Sequence, residues 1–158
     1  MSTRHDWLVH LLAVFFRAVG AVVHIEPRVF DYNRVRPDLQ IYSSQFSLQI
    51  DVTVVAPNSP SRESEVRLAA AHSAEARKTW YYTKNANLLG NGKLLAFAVE
   101  TYGGFGKEAQ EIINVIQKSS RSSVETQIRS LAVTLQRGNA HVVKEGAIRA
   151  RVAALHLD

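Results

Sequence analysis

The spacing of apolar residues changes several times along the chain, and each change marks a different type of secondary structure. From Trp7 to Val19 the apolar residues recur every three or four positions, which is typical of a helix with one buried face. From Phe46 to Val55 they occupy alternate positions, as in a strand. Residues 93–100 are almost all apolar, which predicts a central strand covered on both faces.

Together these patterns predict an α/β fold. The predicted elements are a helix at about 5–20, strands at 22–26, 37–43 and 46–55, a helix at about 60–88, a strand at 93–100, a helix at 107–118, and one or two helices within 123–155 with a break at Gly138. Such an order packs as a mixed sheet of about four strands flanked by helices. We expect an α/β core at 1–120 and, packed on the same domain, a helical C-terminal extension at 121–158.

Composition and charge narrow the classes of protein. The 158 residues, 46% of them hydrophobic, suit one soluble globular domain. The chain has no cysteine, which excludes disulfides and thiolate metal sites. Because His10 and Arg17 interrupt the apolar N-terminal segment, we predict a core helix there and no membrane span. The net charge of +5 favours a polyanionic partner, although the basic residues are spread along the chain and a solvated surface explains them equally well.

Two aspartates lie on neighbouring apolar segments. Asp38 follows Pro37 at the start of one predicted strand, and Asp51 lies inside the next. Burying a carboxylate is costly unless a partner compensates its charge, and a divalent cation is one such partner. Pairing of the two strands would bring both carboxylates to one Mg²⁺, the core of a metal-dependent phosphodiesterase site. In the alternative, Asp38 bonds nearby backbone and Asp51 pairs with an arginine.

Other polar residues fall where they could complete such a site. Glu75, Lys78 and Tyr82 are spaced i, i+3 and i+7, so one face of the predicted helix carries all three. Lys78 could hold a phosphate oxygen there; the alternative is a solvated Glu–Lys pair beside a core tyrosine. Glu26 and Glu100 each end a predicted strand, where either could reach the site or form a structural salt bridge.

Two further motifs give no chemistry of their own. The glycine-rich segment 103–106 lacks the spacing and the lysine of a P-loop, so it predicts a tight strand-to-helix turn. The six histidines form no HxH or HxxxH pair, which argues against zinc.

Several segments are distinctive in their order and spacing. They are Arg36-Pro37-Asp38, Ile50-Asp51-Val52-Thr53, Ala74-Glu75-x-x-Lys78-x-x-x-Tyr82, Val99-Glu100-Thr101-Tyr102-Gly103-Gly104-Phe105-Gly106-Lys107-Glu108-Ala109 and, later, Leu135-Gln136-Arg137-Gly138-Asn139-Ala140. Across residues 20–140 the chain resembles the restriction-endonuclease-like domains of the PD-(D/E)xK superfamily, in particular those of transposon and reverse-transcriptase-type open reading frames.

The resemblance implies a Mg²⁺- or Mn²⁺-dependent endonuclease that hydrolyses DNA phosphodiester bonds. Asp38 and Asp51 would bind the metal, with Glu26 as a further ligand. The superfamily places a lysine two residues after the second acid, where this chain has Thr53. Lys78 is therefore the candidate for a relocated lysine.

The resemblance also implies partners and a setting. We expect nucleic-acid contacts at Gln49, Thr53, Tyr82 and Arg137, and a homodimer is plausible because two sites cut two strands most easily. A eukaryotic mobile element would place the chain in the nucleus; the sequence itself assigns no compartment. Two other functions stay open: a catalytically inactive nucleic-acid-binding module with the same fold, and a protein-interaction domain that uses the helical tail.

Overall fold

The computed structural model describes residues 4–26, 36–57, 68–85, 92–120 and 123–154. Within these ranges the chain forms four helices and four strands. In chain order they are α1 (Arg4–Ala18), β1 (Val22–Ile25), β2 (Leu39–Tyr42), β3 (Ser47–Val55), α2 (Ala69–Lys84), β4 (Lys93–Glu100), α3 (Lys107–Ser119) and α4 (Val124–Ala154). The predicted α/β fold with helices flanking a mixed sheet is confirmed.

The four strands lie in one sheet in the order β1-β2-β3-β4. β1 pairs with β2, and β2 with β3, in antiparallel fashion, whereas β3 and β4 are parallel. A tight turn suffices for the antiparallel pair β2–β3, and the backbone N–H of Ser43 closes it by donating to the carbonyl of Phe46 at 2.9 Å. Parallel strands need a longer crossover connection, and α2 lies within the one that joins β3 to β4.

Helices cover both faces of the sheet. α1, α3 and α4 share one large apolar core with the strands, and its fully buried side chains include Phe16, Phe97, Ile112 and Leu135. α2 packs on the opposite face through a smaller cluster of short side chains: Val55, Ala70, Ala71, Ala74 and Ala98. The small size of these alanines lets the helix approach the sheet closely. The nearly continuous apolar run of β4 is buried on both faces, as its pattern predicts.

The two faces of β3 differ in polarity. Its residues Leu48, Ile50 and Val52 belong to the large core. Because successive side chains of a strand point to opposite faces, Asp51 and its neighbours two positions away lie on the α2 face. The predicted alternation is therefore present, but the polar face is covered by a helix and open to solvent only in part.

Helix α2 covers the described part of the helix predicted at about 60–88. Leu68 has a left-handed backbone conformation with φ of 62°, and α2 begins at the next residue, Ala69. A non-glycine residue with such a φ interrupts helical hydrogen bonding. The two ends of the predicted helix, at 60–67 and 86–88, lie outside the described residues.

Helix α4 is one continuous helix of 31 residues, so the predicted break at Gly138 is wrong. Gly138 lies inside α4 where α1 passes close to it: a Cβ atom at this position would collide with the side chain of Arg4 and lie 3.2 Å from its Cα. The glycine therefore permits close helix packing and does not end the helix. None of the described helices, α4 included, is both long enough and apolar enough to cross a bilayer.

The start of α3 is fixed by a carboxylate from α2. Glu75 accepts the backbone N–H groups of Lys107 at 3.0 Å, Glu108 at 2.9 Å and Ala109 at 3.2 Å. The first N–H groups of a helix have no partner within it, so Glu75 acts as a cap supplied from another helix. A side chain at Gly106 would collide with Glu75, which explains the glycine immediately before α3. The predicted strand-to-helix turn at 103–106 is confirmed.

Candidate active site

Asp51 lies in the middle of β3 and is held by two side chains of α2. The ammonium of Lys78 lies 2.8 Å from its Oδ2, and the hydroxyl of Tyr82 donates to its Oδ1 at 2.6 Å. The Asp51 side chain is only 7% exposed, whereas that of Lys78 is 32% exposed. The sequence prediction that Lys78 and Tyr82 share a face is confirmed, and that face meets the acidic strand.

Tyr82 is a hydrogen-bond donor fixed in place. Burial, together with the hydrogen bond to Asp51 and the nearby charge of Asp38, raises the pKa of the Tyr82 phenol well above its ordinary value. The hydroxyl therefore keeps its proton. It also lies 2.9 Å from the carbonyl of Arg36, and because a phenol has one proton it donates to one oxygen at a time.

Asp38 immediately precedes β2, opposite Asp51 of β3. The β2–β3 register pairs Leu39 with Ile50, so Asp38 and Asp51 occupy the next opposed positions. Oδ2 of Asp38 accepts the backbone N–H of Val52 at 2.6 Å. The two predicted acids are therefore neighbours across the β2–β3 pair.

A histidine from the first turn of α1 completes the surroundings of Asp38. Nε2 of His5 lies 3.0 Å from Oδ2 of Asp38, and its Nδ1 lies 3.2 Å from Oδ1 of Asp6. The hydrogen bond to Asp38 raises the pKa of His5 to about 9, so the imidazole is positively charged at neutral pH. The partly buried Asp38 thus has His5 as a cationic neighbour, and the buried Asp51 has Lys78.

The second carboxylate oxygen of Asp51 is buried and paired with Lys78. Oδ2 lies 2.8 Å from the Lys78 ammonium, and this ion pair compensates the charge of the buried carboxylate. Carboxylate oxygens are also ligands of hard cations.

Glu26, Gln49 and Thr53, on or next to strands of the sheet, were also predicted to bind metal or nucleic acid. Glu26 continues the register opposite Asp38, and its N–H donates to the Asp38 carbonyl at 2.8 Å, but its φ of 46° turns the chain and its side chain is exposed. Gln49 is buried and Thr53 half-buried on the same face of β3 as Asp51. Within the described part of the chain, no three acidic or histidine side chains are grouped so that they could hold a metal.

Three other residues named from the sequence lie elsewhere. Glu75 caps α3, as described above. Glu100 accepts the N–H of Ala71 at 3.4 Å, at the opposite end of α2 from Tyr82. Arg137 is exposed on α4, which packs with α1 and α3 on the other side of the sheet from α2.

A cleft of about 540 Å³ leads from Asp51 to the surface. Three basic side chains and three aromatic ones surround the single carboxylate among its described lining residues: Arg36, Arg77, Lys78, Trp80, Tyr81, Tyr82 and Asp51. The ammonium of Lys84 lies 4.1 Å from the centre of the Trp80 ring, a cation–π contact. Positive charge beside exposed aromatic rings is the composition of a site for phosphate-bearing ligands with bases.

Sequence reasoning did not assign five residues of this region to the site: His5, Arg36, Arg77, Trp80 and Tyr81. Nothing in the sequence links His5 to Asp38, because 33 positions separate a lone histidine from its partner. The residues on α2 did leave a signal, since Arg77, Trp80, Tyr81 and Lys84 recur at helical spacing next to Lys78. From the sequence alone, this spacing predicts a buried helix face, because the exposure of the rings is seen only in the structure.

Comparison with known proteins adds no relative. No protein-family model matches the chain, and no curated protein matches it significantly. The resemblance to PD-(D/E)xK domains therefore stays a prediction, and the proposed function depends on the geometry of the described residues.

Proposed function

We propose that this chain is a magnesium-dependent endonuclease that hydrolyses phosphodiester bonds of DNA. The observation that carries the proposal is the Lys78 ammonium 2.8 Å from Oδ2 of Asp51, beside Asp38 and at the base of a basic cleft. Two neighbouring acids can hold a divalent cation, and an adjacent lysine can stabilise negative charge on a phosphoryl oxygen. Lys78 here takes the place of the lysine that Thr53 replaces.

The donor set fits Mg²⁺. Asp38 and Asp51 would hold the ion, because Mg²⁺ is commonly bound by one or two carboxylates while waters and substrate phosphates fill the other positions. The opposed positions of Asp38 and Asp51 in the β2–β3 register support this assignment. When bound, the ion stabilises charge on the phosphoryl oxygens and lowers the pKa of coordinated water.

The side chains of the chain itself have distinct tasks in this proposal. The partly exposed Lys78 holds a phosphoryl oxygen and stabilises the charge that develops there. Tyr82 orients Asp51, and Val52 N–H with His5 orients Asp38. Arg36 and Arg77 contact neighbouring phosphates through the cleft.

The test is nicking of supercoiled plasmid with Mg²⁺ or Mn²⁺ and, separately, with a chelator. We expect metal-dependent nicking that falls about 10²–10³-fold in Lys78→Met, the scale for loss of one charge-stabilising group. The matched control is Lys118→Met, an exposed lysine near the end of α3, which should retain activity. Mg²⁺ should also raise the thermal midpoint of the wild type and not that of Asp51→Asn. Equal losses in both lysine variants, or no metal-dependent nicking, would contradict the proposal.

A second candidate function is a nucleic-acid-binding module without catalysis. It is favoured by one observation: His5 and Lys78 already neutralise the two carboxylates without any added ion. This function predicts metal-independent, salt-sensitive DNA binding and no nicking. The predicted homodimer stays a prediction, to be tested by light scattering of the protein with and without DNA.

A further inference from the structure

The exposed aromatic residues at the mouth of the cleft are not used by the hydrolysis proposed above. Among the described side chains, Trp80 is 60% exposed and Tyr81 is 41% exposed, although large aromatic residues gain most from burial. Both line the cleft that contains Asp51 and Lys78. Both rings are therefore placed to contact a ligand bound in the cleft.

Trp80 and Tyr81 form part of one stripe along α2. Arg77, Trp80, Tyr81 and Lys84 are spaced i, i+3, i+4 and i+7, so they lie on one side of the helix over about 10 Å. The stripe has its two rings between two cations. Lys84 lies against Trp80, and Tyr81 packs edge-on against the fixed Tyr82 with ring centres 5.3 Å apart. Tyr82 in turn is anchored to Asp51.

We propose that this stripe binds an unpaired stretch of polynucleotide, with a base stacked on Trp80 and its phosphates on the neighbouring cations. The inference rests on the proposed function, which makes a nucleic acid the ligand, and it specifies the substrate as single-stranded at the site. Duplex bases stack on one another and leave no face for a protein ring, whereas an unpaired base offers its face. Charge complementarity supports a polyanionic ligand, because Arg36, Arg77 and Lys78 outnumber the one acid among the described residues that line the cleft.

The experiment measures binding without catalysis. Fluorescence anisotropy would compare labelled single-stranded DNA and RNA of about 15 nucleotides with a blunt duplex of the same sequence, all in chelator. We expect tighter binding of a single strand, DNA or RNA, than of the duplex. Trp80→Ala should weaken single-strand binding about 5- to 150-fold, which corresponds to about 1–3 kcal/mol, and change duplex binding less than about twofold.

Two variants separate stacking from folding. Trp80→Phe keeps a ring and should restore most of the affinity, while Tyr102→Ala removes a 73% exposed ring at the turn after β4 and should change nothing. A direct readout is also available. The chain has two tryptophans, so Trp7→Phe leaves Trp80 as the sole indole, and its emission should change when a single strand saturates the protein.

Three results would overturn the stacking proposal: equal affinity for duplex and single strand, unchanged binding in Trp80→Ala, or self-association without oligonucleotide that Trp80→Ala abolishes. The last would assign the stripe to a second copy of the chain. Metal-dependent nicking alongside any of these would leave the nuclease proposal intact. Stacking on Trp80 without any nicking would support the single-strand site and contradict the nuclease.

Discussion

Replacement of Glu75 by alanine should destabilise the protein although Glu75 takes no part in the proposed chemistry. The carboxylate is the acceptor for three N–H groups at the start of α3. Loss of a helix cap costs about 1 kcal/mol, and a buried N–H left without an acceptor costs a further ~1–3 kcal/mol. Only the Ala109 bond is fully buried, since the other two are half-buried and water can replace part of them.

An opposing contribution reduces this total. Burial raises the pKa of Glu75, and the backbone N–H groups of Ala109, Glu108 and Lys107 offset only part of that effect. The ionised carboxylate is therefore itself disfavoured in the fold, and its removal recovers some free energy. We expect a net loss of about 2–3 kcal/mol in the free energy of unfolding.

Urea unfolding followed by far-UV circular dichroism measures the change. A loss of this size lowers the urea midpoint by about 1 M for a slope of ~2–3 kcal/mol/M. The control is Glu111→Ala, which removes an exposed acid of α3 that is paired with Lys93. It should cost less than about 1 kcal/mol. Were Glu75→Ala no less stable than Glu111→Ala, the capping role of Glu75 would be refuted.

Three further predictions concern Gly106, Glu75 and His5. Gly106→Ala should lower the urea midpoint, because its methyl group would displace Glu75. The raised pKa of Glu75 means that the folded state holds this proton more tightly than the unfolded state does. As the pH rises from about 4 through that pKa, the wild type should therefore lose stability relative to Glu75→Gln. Urea titrations of both proteins at each pH measure the difference. His5→Gln should cost about 1 kcal/mol near pH 6, after allowance for a 35% exposed imidazole, and almost nothing above about pH 9.5, where wild-type His5 has lost its proton. His10→Gln, which replaces an exposed histidine on α1, is the matched control in the same urea series.

Much of the fold was predictable because the sheet is built from strong patterns. The apolar run of β4 and the alternation of β3 each predict one geometry, and the bounds agree with the structure within about two residues. The errors arise where tertiary contacts decide. Glycine has low helix propensity, but Gly138 is needed inside α4 because α1 passes close to it. Leu68, inside the range predicted as helical, has a φ of 62° and directly precedes α2.

The site was predictable only where spacing along one element fixes proximity. Lys78 and Tyr82 lie four residues apart on a helix, so their shared face could be inferred, and Asp38 and Asp51 could be placed opposite each other through one short turn. His5 could not be found in this way, because its contact with Asp38 depends on how α1 packs. The role of Glu75 was also misplaced, since periodicity gives a face but not its neighbour.

The small apolar cluster under α2 makes this helix more weakly attached to the sheet than α1 and α3. Among the described residues only alanines and one valine form that cluster, so α2 buries little hydrocarbon compared with α1 and α3. Segments with few buried apolar contacts open first, and amide exchange should therefore be faster in α2 than in α1 or α3. Lys78 and Trp80 both lie on α2, so its transient detachment would remove the proposed catalytic lysine and the proposed stacking ring together, while Asp51 stays on the sheet.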